Sequence, residues 1–156
     1  MFTIEINNQQ SAVAIDADRL RRAAQTILEE EGLAEAVVNI AIVNDATIHD
    51  LNRRFLDHPE PTDVLSFLLD DQNGLEGDVI ASAETALRSA EQFGWSADDE
   101  LLLYVIHGLL HLVGYDDLDA ASQAEMRGRE RYFLAAFGLQ PRYDQPVLSH
   151  VGEICP

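Results

Sequence analysis

Two histidines with three residues between them are the strongest candidates for chemistry in this sequence. His107 and His111 lie in a long apolar segment, and Asp116 and Asp117 follow it closely. Helical side chains four positions apart leave the same face with Cβ atoms about 5–6 Å apart, which suits two ligands of one metal ion. Gly114 lets the backbone turn, so that one aspartate can supply the third ligand that catalytic zinc requires. We therefore predict one zinc ion per chain.

The histidine pair also has an ordinary interpretation, in which both imidazoles are hydrogen-bonded side chains of a structural helix. The surrounding segment is the most apolar of the chain, and burying two imidazoles there without partners would be costly. This cost favours metal binding. Gly108 stands where zinc peptidases carry a glutamate general base, which disfavours peptide hydrolysis. A zinc ion that activates water and stabilises an anionic transition state fits phosphodiester hydrolysis instead.

The segments that must position this pair alternate between strand and helix patterns. Short runs rich in β-branched residues predict strands at 2–6, 37–43, 64–69 and 78–81. Helical spacing, capping residues and glycine stops predict helices from Asp16 to Gly32, from Asn44 or Asp45 to before Pro59, and over 83–93, 97–113 and 120–137. The last two strands are expected to pair. The helix at 97–113 is apolar nearly all round and belongs in the interior.

Length and composition predict a single domain. At 156 residues, 47% of them hydrophobic, the chain can bury one core. We assign residues 1–140 to this domain and residues 141–156 to a C-terminal tail. No segment approaches the roughly 20 apolar residues of a membrane span, and the N-terminus lacks a signal-peptide pattern. We therefore expect a cytoplasmic protein without a membrane partner.

The charge of the chain is strongly acidic. The net charge is −18, and all ten basic residues are arginine. Proteins that bind nucleic acid usually gain most of their affinity from basic surface. Any contact with RNA must therefore be local.

The run from His107 to Asp116, HGLLHLVGYD, resembles the signature of the YbeY family, the single-strand-specific endoribonucleases of ribosomal RNA maturation. Leu51-Asn52, residues 61–67 and residues 77–80 resemble the other blocks of the family in the same order. The resemblance implies an α+β (α/β-type) fold, with a mixed sheet of about four strands and helices around a central buried helix. It also implies a zinc hydrolase that acts on the precursor of small-subunit ribosomal RNA and in ribosome quality control.

The resemblance extends to partners and to the third ligand. Ribosomal RNA is the partner that it implies, and the sequence leaves the oligomeric state open. The family usually ends its signature with a third histidine, and Asp117 stands there in this chain. We therefore predict Asp117 as the third ligand. An anionic ligand makes the metal a weaker Lewis acid, so activity is expected to be either slower or shifted toward alkaline pH. If Asp117 is not a ligand, the candidates are Asp116, Asp119, His58 and His150.

A second departure concerns the helix before the prolines. The family commonly has an arginine implicated in catalysis where this chain has Leu56. Arg53 lies three residues earlier on the same helical face, so we predict that Arg53 takes a catalytic role and that Arg53 and Arg54 bind RNA. Two solvated arginines on an amphipathic helix are an equally good interpretation. Asp63 and Ser66, inside a matching block, are expected either to face the metal cleft or to serve the strand structurally.

Two other functions stay open. The chain could be a zinc hydrolase of another substrate class, because activated water does not by itself select phosphorus over carbon. It could also be a ribosome-associated protein without catalysis, which the acidic charge and both departures favour. An acidic protein could reach RNA through basic ribosomal proteins.

Overall fold

The computed structural model describes residues 1–56, 62–72 and 74–140. Its elements are, in chain order, β1 (Phe2–Asn8), α1 (Ala17–Glu30), β2 (Ala36–Val43), α2 (Asp45–Leu56), β3 (Val64–Asp70), β4 (Leu75–Ser82), α3 (Ala83–Phe93), α4 (Ala97–Leu112) and α5 (Ala120–Ala135). The predicted α+β class is confirmed. The predicted tail lies outside the described residues, as do His58 and His150, and the division at residue 140 stays a prediction.

The four strands form one mixed sheet in the order β1-β2-β4-β3. The pairs β1–β2 and β2–β4 are parallel, and β3 runs antiparallel to β4. The predicted pairing of the last two strands is confirmed. Parallel neighbours need long connections, and helices accordingly follow β1 and β2 along the chain, whereas β4 follows the antiparallel β3 without a helix between them.

The two faces of the sheet bury different sets of side chains. One face packs against α1 and α4 and forms the main core, to which Val38, Ile40 and Val79 contribute. The opposite face packs against α2 through a smaller cluster that contains Ile48 and Leu65. Helices α2 and α4 are therefore separated by the sheet. None of the helices in the described ranges is both long enough and apolar enough to cross a membrane.

Capping side chains define where the helices begin. Asp16, Ser82, Ser96 and Asp119 each accept a hydrogen bond from a backbone N–H in the first turn of α1, α3, α4 and α5, respectively. Asn44 does the same for α2 through the Thr47 N–H at 2.9 Å, so Asn44 rather than Asp45 is the cap. Such bonds satisfy N–H groups that have no partner inside the helix.

Helix α4 is the buried centre of the fold, as the sequence predicted. Every residue from Glu100 to Leu110 is buried. The helix packs tightly against the sheet at Gly108, where an added Cβ would lie 2.7 Å from Val79 Cγ1 and 3.0 Å from Ser66 Oγ. Glycine is therefore required at this position by packing. The glutamate that zinc peptidases carry here would collide with the sheet.

One carboxyl group is buried at the start of α4. Glu100 is 2% exposed and accepts a hydrogen bond from Trp95 Nε1 at 2.6 Å. Burial raises the pKa of Glu100 to about 7, and the charge of Asp63 adds to this, while the Trp95 bond opposes it. At pH values between the pKa of Glu100 in the unfolded chain and about 7, Glu100 therefore takes up a proton when the protein folds.

We expect Glu100→Gln to stabilise the protein increasingly as the pH rises. Ionisation of the buried carboxyl removes stability from the wild type between its unfolded pKa and about pH 7, because the folded pKa is the higher one. From about pH 5.5 to about pH 8.5 the stability advantage of the variant should grow by on the order of 2 kcal/mol. Urea unfolding at both pH values measures this change.

Glu91→Gln is the matched control, because Glu91 is exposed on α3 and its replacement removes the same charge. The stability difference between Glu91→Gln and the wild type should not grow with pH. Equal pH dependence in the two variants would contradict a buried, proton-binding Glu100.

Candidate metal centre

Three side chains converge at the C-terminal end of α4. His107 Nε2 and His111 Nε2 are 3.1 Å apart. The Asp117 carboxylate completes the group, with Oδ2 at 3.6 Å from His107 Nε2 and Oδ1 at 3.8 Å from His111 Nε2. The structure thus brings together the three residues that the sequence singled out, and the group could hold a metal ion.

The spacing of the three donor atoms fits zinc. Zinc binds imidazole nitrogen and carboxylate oxygen at about 2.0–2.2 Å in tetrahedral geometry, which places neighbouring donor atoms roughly 3.3–3.6 Å apart. The two Nε2 atoms are 3.1 Å apart, and each of them has a different oxygen of Asp117 at 3.6 or 3.8 Å, so these separations lie near that range. The side chains of His107, His111 and Asp117 are 6%, 15% and 12% exposed, so the group is largely buried but reaches solvent at His111 and Asp117.

The loop after α4 returns Asp117 to the histidines. Gly114 has a φ of 111°, which a residue with a side chain rarely adopts, and the Tyr115 N–H donates to the Leu110 carbonyl at 3.0 Å. These two features reverse the chain direction within a few residues of the helix end. Asp117 then lies beside the imidazoles.

The neighbouring aspartates have structural roles instead. Asp116 is exposed and accepts a hydrogen bond from the Leu118 N–H at 3.3 Å. Asp119 caps α5 by accepting from the Ser122 N–H at 2.7 Å. Asp117 is therefore the aspartate of this loop that faces the histidine pair.

Glu130 of α5 is a site residue that sequence reasoning missed. Its Oε2 lies 2.5 Å from His107 Nδ1, and both side chains are buried. A carboxylate on Nδ1 holds the proton on that nitrogen and leaves the Nε2 lone pair directed at the site. Glu130 shares the helical spacing of Met126, Phe133 and Leu134, which could have marked it as a buried position on α5 but could not have identified His107 as its partner.

The environment also favours neutral His111. Burial lowers the pKa of His111, and the nearby His107 lowers it further. The Asp117 carboxylate and a hydrogen bond with the Tyr115 backbone act in the opposite direction without cancelling the effect. Since only neutral imidazole binds a metal, this shift reduces the competition from protons.

Other residues from the matching blocks support the helix rather than the opening. Ser66 Oγ donates to the Gly108 carbonyl at 2.9 Å, which joins β3 to α4 between the two histidines. Asp63 lies near Glu100 and Tyr104: burial raises the pKa of both groups, and the charge of Asp63 raises it further. The structural interpretation of Ser66 is thus the one that the structure favours.

The two arginines predicted to bind RNA do not join this group. Arg53 and Arg54 are each 61% exposed and both pair with Asp50, at 2.9 and 3.3 Å. They lie on α2, across the sheet from α4. The Arg54 guanidinium also lies 5.6 Å from the ring centroid of Phe55, which is itself 61% exposed.

The fold and the residue group define a class of protein. It is an α+β protein with a His-His-Asp group, able to hold a metal ion, at the end of a buried helix. The chain belongs to the endoribonuclease YbeY family, whose pattern matches residues 5–138. The resemblance found in the sequence is confirmed.

Individual relatives are similar over nearly their whole length. The endoribonuclease YbeY of Moorella thermoacetica is 39% identical over 151 residues, which cover 86% of this chain and 97% of that protein. The one of Leifsonia xyli is 37% identical over 155 residues, covering 92% and 99%. The solution structure of TM1509 from Thermotoga maritima shares the fold, with a TM-score of 0.61, 24% identity and coverage of 94% and 97%. The prediction of an enzyme is confirmed at the level of the family.

We expect Glu130→Ala to weaken zinc binding by about 10- to 100-fold, because the Nδ1 proton of His107 loses its acceptor and the ring loses its orientation. Glu130→Gln keeps an acceptor oxygen without the charge, so its loss should be smaller. Competition with a chromophoric chelator measures the dissociation constants. Unchanged zinc affinity in Glu130→Ala would show that the carboxylate does not orient a ligand.

Proposed function

We propose that this protein is a zinc-dependent, single-strand-specific endoribonuclease that acts in small-subunit ribosomal RNA maturation and ribosome quality control. The observation that carries the proposal is the convergence of His107, His111 and Asp117 at zinc-like spacing in a chain of the endoribonuclease YbeY family. His107, His111 and Asp117 would hold one ion per chain.

The chain's own residues prepare this site. Glu130 fixes the proton of His107 on Nδ1, and burial keeps His111 neutral, so both Nε2 atoms are available. A zinc ion bound here would lower the pKa of a coordinated water to about 7 and offset the negative charge that develops on a phosphodiester. The third ligand carries a negative charge in place of the usual neutral imidazole, which supports the predicted shift of activity toward alkaline pH.

The substrate and the setting follow from the relatives rather than from the charge. The relatives are named endoribonucleases, and RNA is the substrate that we infer from that name. A net charge of −18 opposes broad binding to RNA, so we infer that basic ribosomal proteins help to bring the substrate to this chain in the cytoplasm. The proposed RNA contacts of the chain itself are Arg53 and Arg54.

We expect the zinc-loaded protein to cleave a single-stranded RNA oligonucleotide and to leave casein and an RNA duplex intact. Chelation should abolish cleavage and added zinc should restore it. Asp117→Ala should lose both the bound zinc and the activity, because two neutral imidazoles hold the ion less tightly than three ligands. Gel analysis of the RNA and elemental analysis of the protein provide the two measurements.

Each contrary outcome points to one alternative. Cleavage of casein alone would identify a hydrolase of another substrate class. Cleavage that survives chelation would defeat zinc catalysis. No cleavage of a ribosomal substrate by zinc-replete protein would favour a ribosome-associated protein without catalysis. Full zinc content in Asp117→Ala would remove Asp117 from the ligand set.

The proposed arginine contacts have a separate test. Arg53→Ala combined with Arg54→Ala should raise the KM for RNA several-fold and leave kcat nearly unchanged, because the two guanidinium groups lie outside the metal centre. In a plot of log KM against the logarithm of the salt concentration, the slope should decrease by about 1–2, as expected when one or two phosphate contacts are lost.

Arg21→Ala is the matched control for Arg53. Arg21 forms the same kind of pair with Asp18 at 2.9 Å, three residues apart on the exposed face of α1. If the single variants Arg53→Ala and Arg21→Ala, which each remove one positive charge, changed KM equally, the effect would be one of net charge alone. An unchanged KM in the double variant would identify both arginines as ordinary solvated side chains.

A further inference from the structure

The α4–α5 loop, residues 113–119, is attached to the rest of the protein through Tyr115. The ring of Tyr115 is half-buried and packs against the main core. Its hydroxyl donates to the carboxylate of Glu31, with O–O distances of 3.3 and 3.2 Å to Oε1 and Oε2. Glu31 is the residue directly after α1, so this bond joins the loop to a distant part of the chain.

The Glu31 carboxylate also binds α5. Arg129 Nη2 donates to Glu31 Oε2 at 2.9 Å, and the side chains of Glu31 and Arg129 are 17% and 28% exposed. Tyr115, Glu31 and Arg129 therefore join three elements, the end of α1, the α4–α5 loop and α5. We refer to these three residues as the Glu31 triad.

The Glu31 triad is connected to every member of the metal centre. Asp117 lies two residues after Tyr115 on the same loop, and the Tyr115 N–H donates to the carbonyl of Leu110, the residue directly before His111. Glu130, which holds His107, directly follows Arg129 on α5. A displacement of Tyr115 would thus move Asp117 relative to the two histidines.

We propose that the Glu31 triad is a positioning device that holds the α4–α5 loop in its ligand-ready form before the metal arrives. A carboxylate ligand on a loop must otherwise be ordered when the ion binds, which costs affinity. The bond from the Tyr115 hydroxyl to the Glu31 carboxylate, two residues from Asp117, restricts the conformations of the loop before the ion binds. The proposal rests on the proposed metal centre, and Tyr115, Glu31 and Arg129 act through Asp117 rather than on the substrate.

Tyr115→Phe tests the proposal with a close control. The variant removes only the hydroxyl, and we expect zinc affinity to fall by about 10-fold, within the range seen for residues that orient metal ligands. The control is Tyr132→Phe, because Tyr132 of α5 donates to Glu30 at 2.6 Å and so joins α5 to α1 without touching the loop. Its ring, which lies 4.7 Å from the Arg129 guanidinium, is kept. Zinc affinity should be unchanged in Tyr132→Phe.

Hydrogen exchange of the metal-free protein gives a readout that does not depend on the metal. The amides of residues 115–119 should exchange faster in Tyr115→Phe than in the wild type and should not change in Tyr132→Phe. Glu31→Gln keeps an acceptor for the tyrosine hydroxyl but loses the charge that binds Arg129, so it should fall between the wild type and Tyr115→Phe in both measurements.

Two results would overturn the proposal. The first is that Tyr115→Phe has the same loop exchange rates and the same zinc affinity as the wild type. The second is that Tyr115→Phe and Tyr132→Phe lose zinc affinity equally, which would reflect general weakening of the contacts between α1 and its neighbours. Failure of the metal centre is distinguishable from both. If Asp117→Ala bound zinc as the wild type does, the ligand assignment would be wrong, while loop exchange would still decide whether the triad orders the loop.

Discussion

Helix α4 runs through the interior, and its polar groups must therefore find partners on other elements. The carbonyl of Gly108 accepts from Ser66 of β3, and the His107 ring is bound by Glu130 of α5. The absence of a side chain at Gly108 brings α4 against the sheet, and the partners on both sides then determine how the helix is rotated. The direction of the two imidazoles is a consequence of this packing.

The charges around the converging donor atoms suit a divalent cation. His107 and His111 contribute neutral nitrogen atoms when deprotonated, while Asp117 contributes one carboxylate and Glu130 a second carboxylate behind His107. Two negative groups would balance the two charges of a divalent ion inside a partly buried site, where an uncompensated charge would be costly. Under the proposed function, the same balance would leave less positive charge for the substrate than three imidazoles would.

The acidic surface limits how this protein can meet RNA. Several arginines within the described ranges are held by carboxylates, such as Arg19 by Asp98 and Asp99. Arg53 and Arg54 differ in sharing the single carboxylate of Asp50, which leaves one positive charge beside an exposed aromatic ring. Under the proposed function, this short basic and aromatic patch would contact a few nucleotides, and partners would help to bind an extended RNA.

The sequence by itself determined the order of strands and helices, the buried helix and the histidine pair, because hydrophobic periodicity and four-residue spacing act over short distances along the chain. The resemblance to a family added the mixed sheet and singled out Asp117. Only the tertiary structure decided that Glu130, 23 residues from His107, orients that ring. It also decided that Ser66 binds the helix backbone and that Arg53 lies across the sheet. These relations depend on which faces of separate elements pack together, and no spacing along the chain encodes that choice.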